Sequence, residues 1–165
     1  MRTEVMDYLK RVLAAYDCIA PVYDMGGVFA LEQEAEFGPQ IRTLFAGCDY
    51  QTFDPRSGAD IQGDIHKTGL PEGAVGTILC LETLEHIPHP AVALFEMYRI
   101  LKPGGLIILT TAQCWEEHGC PMDYWRFLPD GIRLLLEHPG FKVLDITTEG
   151  AATSPSGIFA TGVKD

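Results

Sequence analysis

The fold of this chain is decided by the stretch from Val75 to Thr111, which reads VGTILCLETLEHIPHPAVALFEMYRILKPGGLIILTT. Its two ends, Val75–Leu81 and Leu106–Thr110, are short apolar runs, as expected of strands buried on both faces of a parallel sheet. Between them, a crossover helix is predicted to start at Pro90 and to stop at Lys-Pro-Gly-Gly, because proline cannot continue a helix and glycine accepts a left-handed exit. Strand, crossover helix and strand form a right-handed βαβ unit, so the chain is predicted to be α/β.

Similar patterns predict the remaining elements. The crossover helix should bury one face, because its apolar residues recur at three- and four-residue spacing. Those residues are Ala91, Leu94, Phe95, Tyr98 and Leu101. The other predicted strands lie near Val22, at Tyr50–Asp54, near Ile61, at Phe141–Thr147 and at Gly157–Val163, with a polar loop or hairpin at Ala151–Ser156. The other predicted helices lie within residues 1–18, at Leu31–Phe45 with an interruption at Gly38-Pro39, and at Pro129–His138.

Composition narrows the class of protein. The 165 residues fit one domain spanning 1–165 with one sizeable core. The chain has 12 basic and 23 acidic residues, a net charge of −11, which disfavours a nucleic-acid partner held through its phosphates. No apolar run is long enough for a membrane span, and the charged N-terminus is unlike a signal peptide. The five cysteines form no C-x-x-C pair, which indicates reduced thiols, so we expect a cytoplasmic protein.

The segment LETLEHIPHPAVALFEMYRILKPGGLIILTT resembles the fourth-strand to fifth-strand region of class I S-adenosylmethionine-dependent methyltransferases, in particular small type-11-like domains. The resemblance extends from Val22 to Val163 and is specific in its second half. It implies a Rossmann-like, doubly wound and mostly parallel sheet with a C-terminal antiparallel strand, in three α/β/α layers. It also implies S-adenosyl-L-methionine as cofactor and methyl transfer to a small-molecule acceptor. The acceptor and the oligomeric state are not indicated.

The N-terminal helix has two interpretations. Its apolar stripe indicates packing on the edge of the domain, which we favour. The resemblance offers a second role, because a helix at this place often caps the cofactor cleft in the family. The stripe consists of Val5, Leu9, Val12, Leu13 and Tyr16.

A glycine turn after the first strand is the first candidate cofactor contact. In doubly wound sheets the ligand lies outside the carboxyl ends of the strands, and glycine lets backbone approach it closely. The family signature has an acidic residue and several glycines here, of which Asp24, Gly26 and Gly27 are matched, while bulkier residues replace the later ones. At the end of the fourth strand, the resemblance implies that Leu81 and Glu82 also contact the cofactor.

Two further acidic positions follow the second and third strands. Asp54 ends the predicted second strand, where a carboxylate can accept from both hydroxyls of a ribose; the competing interpretation is a simple Asp-Pro turn. The stretch 55–60 is too short for a full crossover helix, so this helix is expected to be missing. Asp64 and Ile65 match the family positions that meet the adenine, while Asp64 as a helix N-cap is an equally open alternative.

The loop Trp115–Phe127 holds both tryptophans and resembles the loop that shapes the acceptor pocket in one subset of the family. Aromatic side chains would give flat apolar walls, and an arginine fork would suit a carboxylate or phosphate. The alternative is that the aromatics fill the core and Arg126 pairs with Asp123 or Glu117. The implied acceptor-binding residues are Trp115, His118, Tyr124, Trp125 and Arg126.

Two histidines are candidates for a catalytic base, His86 beyond the fourth strand and His118 in the acceptor loop. The alternative is that each of them caps a helix or binds a carbonyl oxygen. Cys114, His118 and Cys120 invite a zinc interpretation, but three irregularly spaced ligands do not match a structural zinc site, so we expect the protein to hold no metal. Because the glycine signature is thinned, a non-catalytic relative that only binds is the main alternative function. A nicotinamide-dependent oxidoreductase is disfavoured, since no G-x-G-x-x-G follows the first strand.

Overall fold

The computed structural model describes residues 2–28, 37–119 and 122–165. Within these ranges, strands form a seven-stranded sheet in the order β3-β2-β1-β4-β5-β7-β6. The parallel pairs run from β3 through β5, and β7 is antiparallel to both of its neighbours, β5 and β6. The strands are β1 Val22–Met25, β2 Tyr50–Asp54, β3 Ile61–Gln62, β4 Val75–Leu81, β5 Leu101–Ala112, β6 Phe141–Ala151 and β7 Ser154–Lys164.

Helices cover both faces of the sheet, so the predicted three-layer α/β/α architecture is confirmed. One apolar cluster contains Leu94 and Ile132 from the helices on the first face, and the other contains Leu9 and Ile41 from the second face. No described helix is long and apolar enough to cross a membrane. The helices are α1 Arg2–Ala15, α2 Phe37–Leu44, α3 Pro90–Ile100 and α4 Pro129–Glu137, with a short 3₁₀ helix at Leu84–His86.

The βαβ unit predicted from the deciding stretch is confirmed. All residues of β4 are buried, and Pro90 occupies the first turn of α3. The helix ends at Ile100, but β5 begins at once with Leu101 rather than at Leu106, because Leu101 pairs with Val75. The register then shifts, and the glycines of Lys-Pro-Gly-Gly allow the irregular backbone this requires, with Gly104 at φ 76°.

The predicted apolar face of α3 is wrong in part. The buried residues of α3 are Ala93, Leu94, Met97 and Ile100, whereas Phe95 is 45% exposed. Apolar residues lie around most of this helix, so two different faces show the same three- and four-residue spacing. Both faces include Leu94. The sequence alone does not distinguish them; packing against β4 and β5 does.

The N-terminal helix packs on the sheet, as the favoured interpretation predicts. Val5, Leu9 and Val12 are buried, and the Tyr8 hydroxyl is 2.7 Å from the Thr161 hydroxyl of β7. Burial raises the pKa of Tyr8 well above its ordinary value. The helix is therefore part of the second apolar layer.

Several element boundaries differ from prediction. Gly38 and Pro39 lie in the first turn of α2, where proline is tolerated. Of the two short helices predicted on either side of Gly38-Pro39, the first, at residues 31–36, lies outside the described part. The connection 55–60 has no helix, as predicted. Strands β6 and β7 extend further than expected and form a hairpin in which Ala151 pairs with Ser154. The predicted loop is thereby reduced to a tight turn.

Candidate functional site

The carboxyl ends of β1, β2 and β4 meet at a tight turn around Gly26. The Gly26 N–H donates to Phe53 O at 2.8 Å, and φ is 89°, a left-handed value that glycine adopts without strain. A Cβ on Gly26 would lie 2.4 Å from Thr83 Oγ1. This turn is therefore wedged between β2 and the loop that follows β4, and both conformation and space require glycine.

Asp24 lies beneath the turn. Its side chain is 1% exposed, and Tyr50 donates its hydroxyl proton to Asp24 Oδ2 at 2.6 Å. Burial raises the pKa of Asp24 to about 6, with the nearby Asp54 contributing in the same direction. A Cβ on Gly27 would stand 2.9 Å from Asp24 Cγ. The geometry favours a supporting role for Asp24 over the direct cofactor contact that the resemblance implied.

Asp54 ends β2 as predicted, but its carboxylate already accepts from several donors. Oδ1 accepts from the Arg56 N–H at 2.9 Å and from Arg56 Nε at 2.8 Å. Oδ2 accepts from Arg56 Nη2 at 2.8 Å and from the Val28 N–H at 3.3 Å. A carboxylate has about four lone-pair sites, so Arg56 must move before both hydroxyls of a ribose can bind Asp54. Arg56 is 35% exposed, which leaves it room to do so.

If Arg56 moves away from Asp54, the residues present fit an S-adenosyl cofactor. A cavity of about 310 Å³ adjoins the glycine turn and is lined in part by Gly27, Val28 and Thr52. A larger groove of about 520 Å³ runs along α3, past Phe95 and Arg99. The smaller cavity is the candidate for the cofactor, because it adjoins the glycine turn at the carboxyl end of β1, where ligands of doubly wound sheets bind. Asp54, Leu81 and Glu82 are not among its lining residues.

The other predicted cofactor residues are arranged as follows. Asp64 is 67% exposed, and its Oδ1 lies 2.7 Å from His66 Nδ1. It also accepts from the His66 N–H at 2.9 Å, so it stabilises a turn and is not a helix N-cap, because no helix follows. These contacts lower the pKa of Asp64. Ile65 packs against the first apolar cluster, and Leu81 is buried at the end of β4.

Glu82 has strained backbone at the switch point of the sheet. Its φ is 49°, a left-handed value that is uncommon outside glycine. Its N–H donates to Thr110 O at 2.9 Å, which holds it against the end of β5. Strain of this kind persists where surrounding contacts impose it, and it concentrates at functional sites. The position supports its candidacy as a cofactor contact.

Glu85 joins three segments of the site. It is fully buried, and its Oε2 accepts from the Thr111 hydroxyl at 2.8 Å while Oε1 accepts from the Ala112 N–H at 3.3 Å. Its backbone oxygen accepts from the Tyr124 N–H at 2.8 Å and from the Trp125 N–H at 3.3 Å. Glu85 therefore fixes the acceptor loop to the carboxyl ends of β4 and β5.

Three aromatic side chains of the acceptor loop lie on the surface, whereas the fourth, Phe127, packs against the first apolar cluster. Trp115, Tyr124 and Trp125 are 48%, 46% and 43% exposed. Trp125 is also fixed in place, because its Nε1–H donates to Ile87 O at 2.9 Å. The loop thus presents aromatic faces beside the strand ends.

Arg126 is bound within the loop. Nη1 and Nη2 donate to the two carboxylate oxygens of Asp123, each at 2.6 Å. Its remaining donors reach backbone oxygens of Trp115, Glu116 and Trp125 at 3.1, 2.9 and 2.8 Å. A guanidinium has five N–H donors, all of which are used here, so the expected fork towards an acceptor is not available in this conformation. The alternative pairing with Asp123 is the one observed, and it holds the pKa of Asp123 well below its usual range.

The two candidate bases lie side by side. The rings of His86 and His118 have centroids 5.0 Å apart and are nearly perpendicular. His86 Nδ1 is 2.6 Å from Met122 O, and His118 Nδ1 is 3.1 Å from Glu116 O. Of the other loop residues considered for metal, Cys114 is an exposed free thiol and Cys120 lies outside the described ranges.

Sequence reasoning missed three contributors to the site. Arg56 follows Asp54 by two residues, a spacing at which an arginine can fold back on a carboxylate. Thr83 and Glu85 stand inside the quoted LETLEH segment but were given no role. Of these three, only Glu85 gives a signal in the sequence. It stands next to apolar residues, and a carboxylate buried among them needs hydrogen-bond or charged partners.

The chain is similar in sequence and fold to known methyltransferases. Residues 44–109 match the family model described as "Methyltransferase domain". Over 85 residues the chain is 26% identical to the 2-methyl-6-phytyl-1,4-hydroquinone methyltransferase of Synechocystis sp., covering 50% of this chain and 26% of that protein. Over 39 residues it is 44% identical to the ubiquinone biosynthesis O-methyltransferase of Pseudomonas paraeruginosa, covering 24% of this chain and 17% of that protein. The chain therefore spans less than a third of these curated relatives.

A solved structure extends the likeness over almost the whole fold. The 1,6-didemethyltoxoflavin-N1-methyltransferase of Burkholderia thailandensis, solved with its substrate and S-adenosylhomocysteine, has a TM-score of 0.71 at 16% identity. The match covers 97% of this chain and 78% of that chain. At this identity the likeness establishes the fold alone. Residues 44–109 are thus similar to a methyltransferase domain, and the described sheet has the strand order of the Rossmann-like fold that solved methyltransferases share.

Proposed function

We propose that the protein transfers a methyl group from S-adenosyl-L-methionine to a small-molecule acceptor, with its site at the carboxyl ends of β1, β2, β4 and β5. The observation that carries this proposal is the position of Glu85. Through its carboxylate and its backbone oxygen, Glu85 attaches the aromatic loop to the same strand ends that form the glycine turn. Cofactor and acceptor would thus be held against one rigid edge.

On the cofactor side, the chain's own residues would bind and orient. The turn at Gly26 brings backbone close to the ligand without a side chain in the way. Once Arg56 has moved away, Asp54 would accept hydrogen bonds from the ribose hydroxyls. Glu82 and Leu81 would contact the cofactor from the end of β4. When bound, S-adenosylmethionine supplies a methyl group on a positively charged sulfur. Alignment of the two reactants is the main contribution such a site makes to rate.

On the acceptor side, Trp115, Tyr124 and Trp125 would form the wall against which a flat apolar molecule packs. One of the curated relatives named above is a hydroquinone methyltransferase and the other is an O-methyltransferase of ubiquinone biosynthesis, which supports a ring-bearing acceptor as the first class to test. Arg126 would keep this wall in place, since its donors hold both ends of the loop together.

A histidine would accept a proton from the acceptor. Carbonyl oxygens only accept hydrogen bonds, so the proton of His86 lies on Nδ1, facing Met122 O, and Nε2 keeps its lone pair. His118 Nδ1 lies 3.1 Å from Glu116 O and 3.5 Å from the donor Arg126 Nη2, and the shorter contact, to the carbonyl oxygen, gives the same arrangement. Each imidazole is therefore oriented to serve as a general base through Nε2.

A second candidate function is a non-catalytic domain that binds a ligand or a partner. The occupation of Asp54 by Arg56 favours it, because the ribose contact is blocked as long as that pair remains. The same two measurements distinguish the two candidate functions. Calorimetric titration with S-adenosylmethionine and S-adenosylhomocysteine, followed by a labelled-methyl screen over small metabolites, should give saturable binding and a methylated product. Binding without transfer to any acceptor would favour the second candidate, and no binding of either ligand would refute the first.

A further inference from the structure

Glu85, His86 and His118 place three metal-binding side chains at one point beside the acceptor loop. One donor atom of each lies within 4.8 Å of the others. Two of the three come from the 3₁₀ helix after β4 and the third comes from the loop after β5, so it is the fold that brings them together. The combination of two imidazoles and one carboxylate is a known ligand set for divalent transition metals.

Both histidines are oriented as metal ligands usually are. A metal-binding histidine commonly donates its second ring N–H to a backbone oxygen or a carboxylate, which fixes the ring and raises the basicity of the other nitrogen. His86 Nδ1 has such a partner in Met122 O at 2.6 Å. His118 Nδ1 has Glu116 O at 3.1 Å and Asp123 Oδ2 at 3.4 Å. Both Nε2 lone pairs are thus left for an ion.

Glu85 supplies negative charge where side-chain cations do not neutralise it. It is fully buried, and its carboxylate accepts from the neutral donors Thr111 and Ala112. Among the residues that the structure describes, no lysine or arginine forms an ion pair with it. A buried carboxylate is costly without a compensating charge, and a bound cation would provide one. The guanidinium of Arg126 lies nearby, but Asp123 balances its charge.

We propose that Glu85, His86 and His118 bind a divalent first-row transition ion, with zinc the best match to the ligand set. Bonds of about 2.0–2.2 Å require the donors to approach one another by about 1 Å, which rotation of the partly exposed His118 allows. Three protein ligands leave a coordination position open. The proposed site departs from the sequence-based expectation that the protein holds no metal, because the sequence alone does not show that Glu85, His86 and His118 meet.

The open position defines a substrate class, in a step that rests on the proposed function. An acceptor hydroxyl bound to the ion loses its proton more readily, and the proton passes to solvent. With the ion bound to both Nε2 atoms, the ion replaces the two imidazoles as the means of removing this proton. The resulting oxygen anion attacks the methyl carbon; the new O–C bond forms as the S–C bond breaks. The products are a methyl ether and neutral S-adenosylhomocysteine. A hydroxyl-bearing acceptor is therefore favoured over an amine, because the ion would occupy the lone pair with which a neutral amine attacks.

The test uses Co²⁺ as a spectroscopic substitute for the ion. Metal-free full-length protein is titrated with Co²⁺, and the visible absorption bands of the bound ion are followed. We expect saturable bands in the wild type and at least about tenfold weaker binding in His86→Ala and in His118→Gln. The control is His138→Ala, an exposed histidine after α4, which should bind as the wild type does. Circular dichroism confirms folding of each variant. Absence of saturable bands in the wild type, or equal affinity in all variants, would overturn the proposal.

A second arm separates this inference from the proposed function. Binding of S-adenosylmethionine and transfer of labelled methyl are measured before and after removal of metal with a chelator. If Co²⁺ binds through the histidines but no acceptor is methylated, the proposed methyl transfer is refuted and the proposed cation site is supported. If methyl transfer is unaffected by the chelator and no Co²⁺ binds, the proposed cation site is refuted and the proposed methyl transfer is supported.

Discussion

Arg56 covers both carboxylate oxygens of Asp54, with Nε 2.8 Å from Oδ1 and Nη2 2.8 Å from Oδ2. The pair lies at the end of β2, where a ribose is expected to bind. A cofactor therefore competes with an ion pair of the protein itself. Because Asp54 is 1% exposed and Arg56 is 35% exposed, the arginine is the partner that can leave.

This competition predicts opposite effects of two neighbouring substitutions. Asp54→Ala should weaken S-adenosylmethionine binding by at least about tenfold, since a hydrogen bond to a charged group contributes about 1.5–3 kcal/mol. Arg56→Ala should strengthen binding by a few-fold, because it frees the carboxylate. Arg56→Lys, which keeps the charge but makes a single contact, should lie between Arg56→Ala and the wild type. Calorimetry measures all three; equal affinities for Asp54→Ala and the wild type would show that the ribose binds elsewhere.

Asp24 predicts a pH dependence of stability. Burial raises its pKa from 3.8 to about 6, so the folded state favours the protonated form. The contribution of this group to stability is therefore fully present below about pH 3.8 and is lost as the pH rises through about 6. At neutral pH the buried charge costs the folded state roughly 3 kcal/mol.

Asp24→Asn removes that cost while keeping an oxygen that can accept from the Tyr50 hydroxyl. The melting temperature of the variant should exceed that of the wild type by roughly 5 °C at pH 7.5, and the two should nearly coincide at pH 4. Thermal unfolding followed by circular dichroism at both pH values checks this. Tyr50→Phe is a matched comparison, since it removes the donor and leaves the charge; it should destabilise at pH 7.5.

Particular residues show how far the sequence predicts this molecule. The bounds of β4 and β2 were predicted correctly, because buried parallel strands are apolar runs with clear ends. Local patterns carry no information about side chains that meet across the fold. Glu85 and Thr111 are 26 residues apart, and the pairing of His86 with His118 requires knowledge of where the loop returns. The stripe on α3 was shifted for the same reason: tertiary packing decides between two faces of equal spacing.

Arg126 is predicted to hold the acceptor loop in place. Arg126→Ala removes both contacts to Asp123 and three to backbone oxygens, so the loop should lose order while the sheet stays folded. Hydrogen exchange should then increase at the Tyr124 and Trp125 amides, which bind Glu85 O in the wild type. Arg133→Ala is the control, because Arg133 makes only a surface pair with Glu137 at 3.7 Å. Unchanged protection of both amides would show that Arg126 does not organise the loop.

The aromatic wall is predicted to serve the acceptor and not the fold. Trp115 is 48% exposed, so Trp115→Ala should change the melting temperature little, since the side chain leaves no buried cavity behind. If an acceptor packs on it, turnover per bound cofactor should fall by roughly tenfold while the Kd for S-adenosylmethionine stays within a few-fold of the wild type. Trp125→Ala should lower turnover similarly but also reduce stability, because it loses the hydrogen bond to Ile87 O. Leu134→Ala is the matched control: Leu134 is 68% exposed on α4, so its loss should alter neither quantity. A Trp115→Ala variant with wild-type turnover, or one that loses cofactor binding as much as turnover, would place the acceptor away from this loop.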